Sequence, residues 1–158
     1  MPKKSAGILM YRFREKRVEV FLVHPGGPFW KTKDQGAWSI PKGECTESED
    51  SLDAARREFE EETGYPIEGP YIDLGVLRQS SRKEVHAWAV EGDGDPDRIV
   101  SNTFEMEWPP RSGEYKHFPE VDRAEWFSAA AAREKLHPGQ VGFIDRLCQK
   151  LGIETDCP

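Results

Sequence analysis

Cysteine is scarce: Cys45, Cys148 and Cys157 are the only three in 158 residues, and no C-x-x-C pair occurs. An odd number without that spacing encodes neither a disulfide framework nor a cysteine zinc site, and it fits a reducing compartment. Long apolar runs are absent too. The stretch from Ala6 to Tyr11 ends at Arg12, too short for the hydrophobic segment of a secretion signal and far too short to cross a bilayer. A cytoplasmic chain with no membrane partner is therefore expected. Positive charge is in deficit, with 22 Lys and Arg against 29 Asp and Glu, a formal charge of −7 and a pI near 5.2. That balance disfavours extended nucleic acid as a partner, because nonspecific affinity comes from basic side chains neutralising phosphates. Small phosphate-bearing molecules remain compatible with it where a divalent cation supplies the missing charge.

The length suits one domain over residues 1–158, large enough to bury a core without staples. Mean hydropathy is −0.73 and 32% of residues are charged, yet 5 Trp, 4 Tyr and 8 Phe supply the large buried areas that disordered chains lack. There is no internal repeat. Residues 5–13 and 18–24 read as a hairpin joined by a polar Arg-Glu-Lys-Arg turn, followed by a long Gly/Pro loop over 25–37 and a short strand Trp38 to Ile40 closed by Pro41. Apolar positions Leu52, Ala55, Phe59 and Thr63 recur at helical spacing from Ser48 onward, with Gly64 at the C-cap position. Strands are expected near 71–79, 84–91 and 100–108, then a second long polar loop over 109–123 and a strand around Glu125 to Phe127. Ser128 should cap a helix over 129–136, and a last helix covers about 140–151. The order implies an α+β protein in which helices pack on a mixed sheet.

Residues 41–65, PKGECTESEDSLDAARREFEEETGY, carry the chemistry. At 100° per residue Glu58, Glu61 and Glu62 project over roughly one quadrant, and Leu52 and Phe59 project elsewhere, toward a core. Three carboxylates then share one solvent-facing stripe. Like charges three and four apart repel on a helix, so the stripe favours a partner cation, and hard oxygen donors of this kind suit magnesium or manganese.

Gly43, Glu49, Arg57-Glu58-Phe59, Glu61-Glu62 and Gly64 occupy the positions of the Nudix box, G-x5-E-x7-R-E-U-x-E-E-x-G-U, and only Tyr65 replaces the usual aliphatic residue at its end. The chain therefore resembles a Nudix hydrolase. The likeness extends more weakly to the leading hairpin, to Trp38-Ser39-Ile40-Pro41-Lys42-Gly43 and to the late Glu125-Trp126 segment. It implies an α/β/α sandwich around a mixed sheet and a metal-dependent hydrolysis of a nucleoside diphosphate linked to another group. On this chain it implies Glu58 and Glu62 as principal ligands of Mg2+, for which Mn2+ could substitute, with Glu61 as a third carboxylate and the Gly43 carbonyl as a backbone ligand. Arg57 becomes an orienting partner for a box glutamate, and Glu49 supports the arrangement. A further glutamate before the last strand often completes such sites. Glu120, six residues before Trp126, is the choice; Glu105 and Glu107 are rivals. Water is the nucleophile, with Glu61 or Glu120 as general base.

The box reports chemistry, not substrate. Lys42, where many relatives have glycine, resembles the diadenosine polyphosphate and diphosphoinositol groups and adds a point charge for a long phosphate chain. Trp30, Phe29, Tyr115 and Phe118 in the two loops could stack on a base, and Lys33, Arg82, Lys83, Arg111, Lys116 and His117 could reach phosphates. His24 and His86 read as structural, and His137 as a loop residue. Diadenosine tetraphosphate is the expected substrate. The alternatives are a nucleoside triphosphate cleared from the nucleotide pool, or a nucleotide sensor that keeps the fold without turnover. An isopentenyl-diphosphate isomerase fits poorly, since Cys45 is the only cysteine near the site. Monomer and homodimer are both open.

Overall fold

The computed structural model describes residues 3–46 and 48–153; Cys157 lies outside them. Strand β1 (Lys3–Arg14) turns into β2 (Arg17–Pro25) through Glu15 and Lys16, both at positive φ. Two such residues give the primed turn whose twist matches that of the strands it joins, and Arg14 pairs with Arg17. β1 runs parallel to β5 (Lys83–Glu91), which pairs antiparallel with β4 (Ile72–Ser80); β2 pairs antiparallel with β8 (Val121–Ser128). The order β4-β5-β1-β2-β8 makes a mixed sheet.

Alternation along β1 divides the core. Ala6, Ile8 and Met10 face one side with Phe21, Trp88 and Val90, and there meet Ala54, Ala55 and Phe59 of helix α1 (Ser51–Thr63). Leu9 and Tyr11 face the other side, covered by α2 (Ala129–Lys135) and α3 (Gly142–Leu151). Helices thus cover both faces, as the resemblance implies. Phe59 is fully buried, and burying a side chain of that size stabilises the packing of α1 by about 1.5–3 kcal/mol.

The far edge of β1 is shared. Its C-terminal half pairs with β2, and its N-terminal half pairs with β3 (Lys42–Glu44), Ser5 opposite Glu44 and Gly7 opposite Lys42. Residues 38–41 wedge into the fork between them: the Ile8 amide donates to the Pro41 carbonyl at 3.1 Å, and Val23 and Ser39 exchange bonds of 2.9 and 3.0 Å. The expected strand Trp38 to Ile40 is therefore two isolated bridges, and the ladder begins at Lys42. Helix α1 starts at Ser51 rather than Ser48, because the Asp50 carboxylate accepts from the Leu52 and Asp53 amides and caps it there. The 109–123 segment also differs from expectation. Residues Tyr115–Pro119 form β7, which hairpins with β6 (Thr103–Glu107) as a separate two-stranded arm. Among the described residues no helix is long and apolar enough to cross a membrane.

Candidate active site

The site lies where α1 crosses β3. A Cβ on Gly43 would stand 2.0 Å from Cδ of Glu58, closer than any carbon contact, so only glycine lets this carboxylate lie against the strand. Glu62, one turn on, accepts a hydrogen bond from the Lys42 backbone amide. The carboxylate stripe is thus only partly solvent-facing. Glu58 is 16% exposed and Glu62 is turned inward, while Glu61 remains 41% exposed.

Arg57 organises the outer side. Its Nε donates to Glu49 Oε2 and its Nη2 to Glu49 Oε1, both at 2.9 Å, a two-pronged bond that fixes the guanidinium plane. Nη1 then donates to Glu58 Oε1 at 3.0 Å and to Glu61 Oε1 at 3.4 Å. The Glu49 partnership raises the Arg57 pKa and lowers that of Glu49, so the pair is charged at any working pH. Arg57 thus links Glu49 to both Glu58 and Glu61.

The inner carboxylates are under electrostatic stress. Burial, then the charge of Glu58, pushes Glu62 up to about 8, with the positive charge of Lys42 opposing. Burial also raises Glu58, against the hydrogen bond from Arg57. Glu62 Oε2 is buried and has no hydrogen-bond partner. An orphaned buried carboxylate oxygen costs folding energy unless a cation or proton meets it.

Glu120 stands between β7 and β8, exposed, its main chain held by the Asn102 carbonyl (2.8 Å) and the Gly26 amide (2.9 Å). Its charge adds, after burial and the nearer charges, to what raises Glu58 and Glu62. The rivals are engaged in the arm: Glu107 accepts from the Arg111 and Gly113 amides at 2.9 and 3.2 Å, and Glu105 lies 3.5 Å from His117.

Lys42 takes an unexpected side. Gly43 faces α1, so alternation sends the Lys42 side chain to the opposite face of β3, beside Gly7. It has no side-chain ion pair or hydrogen bond among the described residues, and burial followed by the charge of Lys83 lowers its pKa. His137 joins them, lowered by burial and by these two lysines. Sequence reasoning passed over His137 because only the tertiary fold brings it there. Trp30 sits on the 27–33 turn with Lys33 Nζ 5.1 Å from its ring centre. Phe29 meets Trp108 edge-on at 5.6 Å, which ties this turn to the arm. Tyr115 and Lys116 are strand neighbours and so point to opposite faces of the arm. Lys116 shares the face of Phe104 and Trp108, whereas the exposed Tyr115 lies opposite Glu107 on the other.

Among the described residues no three His, Cys, Asp or Glu side chains form a ready-made metal cage. Magnesium does not need one, since it keeps several waters and takes one or two carboxylates plus substrate phosphates. The orphaned Glu62 oxygen, Glu58 in its glycine cradle and the hard donors Glu61 and Glu120 fit such an ion.

The model of the NUDIX domain matches residues 1–147. The chain belongs to the NUDIX family. A 17.7 kDa protein of Enterobacteria phage T4, itself uncharacterised, is 49% identical over 88 residues, covering 54% of this chain and 56% of that protein. An RNA pyrophosphohydrolase of Bartonella henselae is 29% identical over 143 residues, covering 78% and 75%. The chain spans between a third and just over half the length of two of the curated relatives it matches. Among solved structures, a C. elegans Ap4A hydrolase binary complex superposes with a TM-score of 0.64 at 19% identity, covering 95% of this chain and 98% of that one. This last likeness establishes the NUDIX fold.

Proposed function

We propose that this NUDIX protein is a divalent-metal-dependent pyrophosphohydrolase that cleaves a phosphoanhydride bond of a nucleoside polyphosphate by direct attack of water. The observation that carries this reading is the buried, unpartnered Glu62 Oε2 beside Glu58. Glu58 and Glu62, with the Gly43 carbonyl, Glu61 and Glu120, would hold the cation. When bound, magnesium neutralises phosphate oxygens and lowers the pKa of water. The protein does the rest. Arg57, donating to both Glu58 and Glu61, offsets their mutual repulsion. Glu61 or Glu120, the two exposed carboxylates of the set, would take the proton of the attacking water.

A dinucleoside polyphosphate such as diadenosine tetraphosphate suits the surroundings best. Lys42 and Lys83 provide a second pair of basic side chains on the face away from α1, which suits a long phosphate chain, and Phe29 and Trp30 offer exposed rings for a base. The Bartonella henselae relative supports a second reading, removal of pyrophosphate from a 5′-triphosphorylated RNA, although the net charge of −7 works against an extended RNA. Purified protein with magnesium should convert diadenosine tetraphosphate to ATP and AMP faster than it releases pyrophosphate from nucleoside triphosphates or from triphosphorylated RNA. Pyrophosphate from the RNA as the leading product would move the assignment to the second reading.

A further inference from the structure

His24, at the end of β2, is wholly buried, and both its ring nitrogens are engaged. Nδ1 meets Asp122 Oδ1 at 2.8 Å, and Nε2 meets the Lys33 carbonyl oxygen at 2.6 Å. Trp38 holds the ring edge-on at 5.1 Å and is itself tied through Nε1–H to Asp34 at 2.8 Å. The two partners of His24 belong to two separate segments, the start of β8 just after Glu120 and the turn that carries Trp30. Lys33 closes the turn that presents Trp30, its amide donating to the Trp30 carbonyl at 3.0 Å. Asp122 follows Glu120 by two residues, and the β2–β8 register shifts between His24 and Pro25. Beyond that irregularity the ladder resumes with Pro25 opposite Val121, and the Gly26 amide donates to the Glu120 carbonyl at 2.9 Å; the imidazole adds a side-chain tie that joins this segment to the Trp30 turn as well.

We propose that His24 is a positioning residue that holds Glu120 and the Trp30 turn in one register, so that the carboxylate and the aromatic platform address the same bound nucleotide. The proposal rests on the pyrophosphohydrolase reading. It differs from a core-filling role in a testable way, because the two arms of the bridge are separable. In His24→Asn an amide nitrogen stands where Nδ1 stood, keeping Asp122 and giving up Lys33. In His24→Gln the amide reaches the position of Nε2, keeping Lys33 and giving up Asp122. One buried hydrogen bond is worth about a tenfold effect. His24→Asn should therefore raise KM for diadenosine tetraphosphate about tenfold with kcat within about twofold. His24→Gln should lower kcat about tenfold with KM within about twofold.

Two variants indistinguishable from the wild type would overturn the proposal. So would kcat and KM failing together in both, in step with equal losses of Tm. If the wild type turns over none of the substrates, the functional reading fails, and amide exchange decides the bridge separately. His24→Asn should then speed exchange over 30–37 and spare 121–123, and His24→Gln should do the reverse; uniform change, or none, would overturn it.

Discussion

Glu62→Gln should stabilise the metal-free protein while abolishing turnover. Glu62 is pushed up to about 8 in the fold from an ordinary 4.5. Below about pH 4.5 both folded and unfolded chains carry the proton, and the group contributes no penalty. Above it the unfolded chain releases the proton while the folded chain retains it, so stability falls by about 1.4 kcal/mol per pH step until about pH 8 and is level beyond. At pH 7 the accumulated cost is about 3 kcal/mol, on a group buried enough that solvent screening removes little of it. Glutamine has nearly the same shape and no charge. In urea denaturation with a chelator present, the variant should gain about 3 kcal/mol at pH 7 and less than about 1 kcal/mol at pH 5. Turnover should fall by orders of magnitude, since one ligand charge is gone. A variant destabilised at pH 7, or one whose gain is the same at both pH values, would refute the claim that the fold buries this carboxylate at a cost to its charged form.

Gly43→Ala places a methyl group 2.0 Å from Glu58 Cδ, so it should displace the carboxylate and weaken Mn2+ binding at least tenfold, measured by calorimetry, with a stability loss of about 1–3 kcal/mol. Arg57→Lys cannot keep both bonds to Glu49 and should lower kcat more than it raises KM in steady-state assays. Lys83→Gln should raise KM for diadenosine tetraphosphate several-fold more than for ATP in steady-state assays, the outcome required by the proposal that the longer phosphate chain extends toward Lys42 and Lys83.

The box was legible because its signal is local. Spacing along one helix turn brings Arg57, Glu58, Glu61 and Glu62 together whatever the rest of the chain does, and Gly64 marks the end of that helix, whereas its start was misplaced to Ser48 because the Asp50 cap was not singled out. Burial of Glu62 was not legible, since it depends on β3 arriving from 42–44 to pair with β1, and Trp38 to Ile40 looked the better strand on propensity and its closing Pro41. Strand β7 was hidden by the polar and proline-containing run Tyr115 to Pro119, whose alternation acquires meaning only beside β6. His24 and His137 needed partners from distant segments, Asp122 for one and Lys42 and Lys83 for the other, which no short-range pattern announces.

Dependence of phosphoanhydride cleavage on a metal held by Glu58 and Glu62 is tested most directly by turnover. Wild type and Glu62→Gln, each incubated with diadenosine tetraphosphate and magnesium and with or without chelator, can be resolved by anion-exchange chromatography. ATP and AMP in equal amounts from the wild type, lost with chelator and reduced by orders of magnitude in a fully folded Glu62→Gln, is the predicted result. Equal turnover by the two proteins, or turnover that survives the chelator, would contradict it.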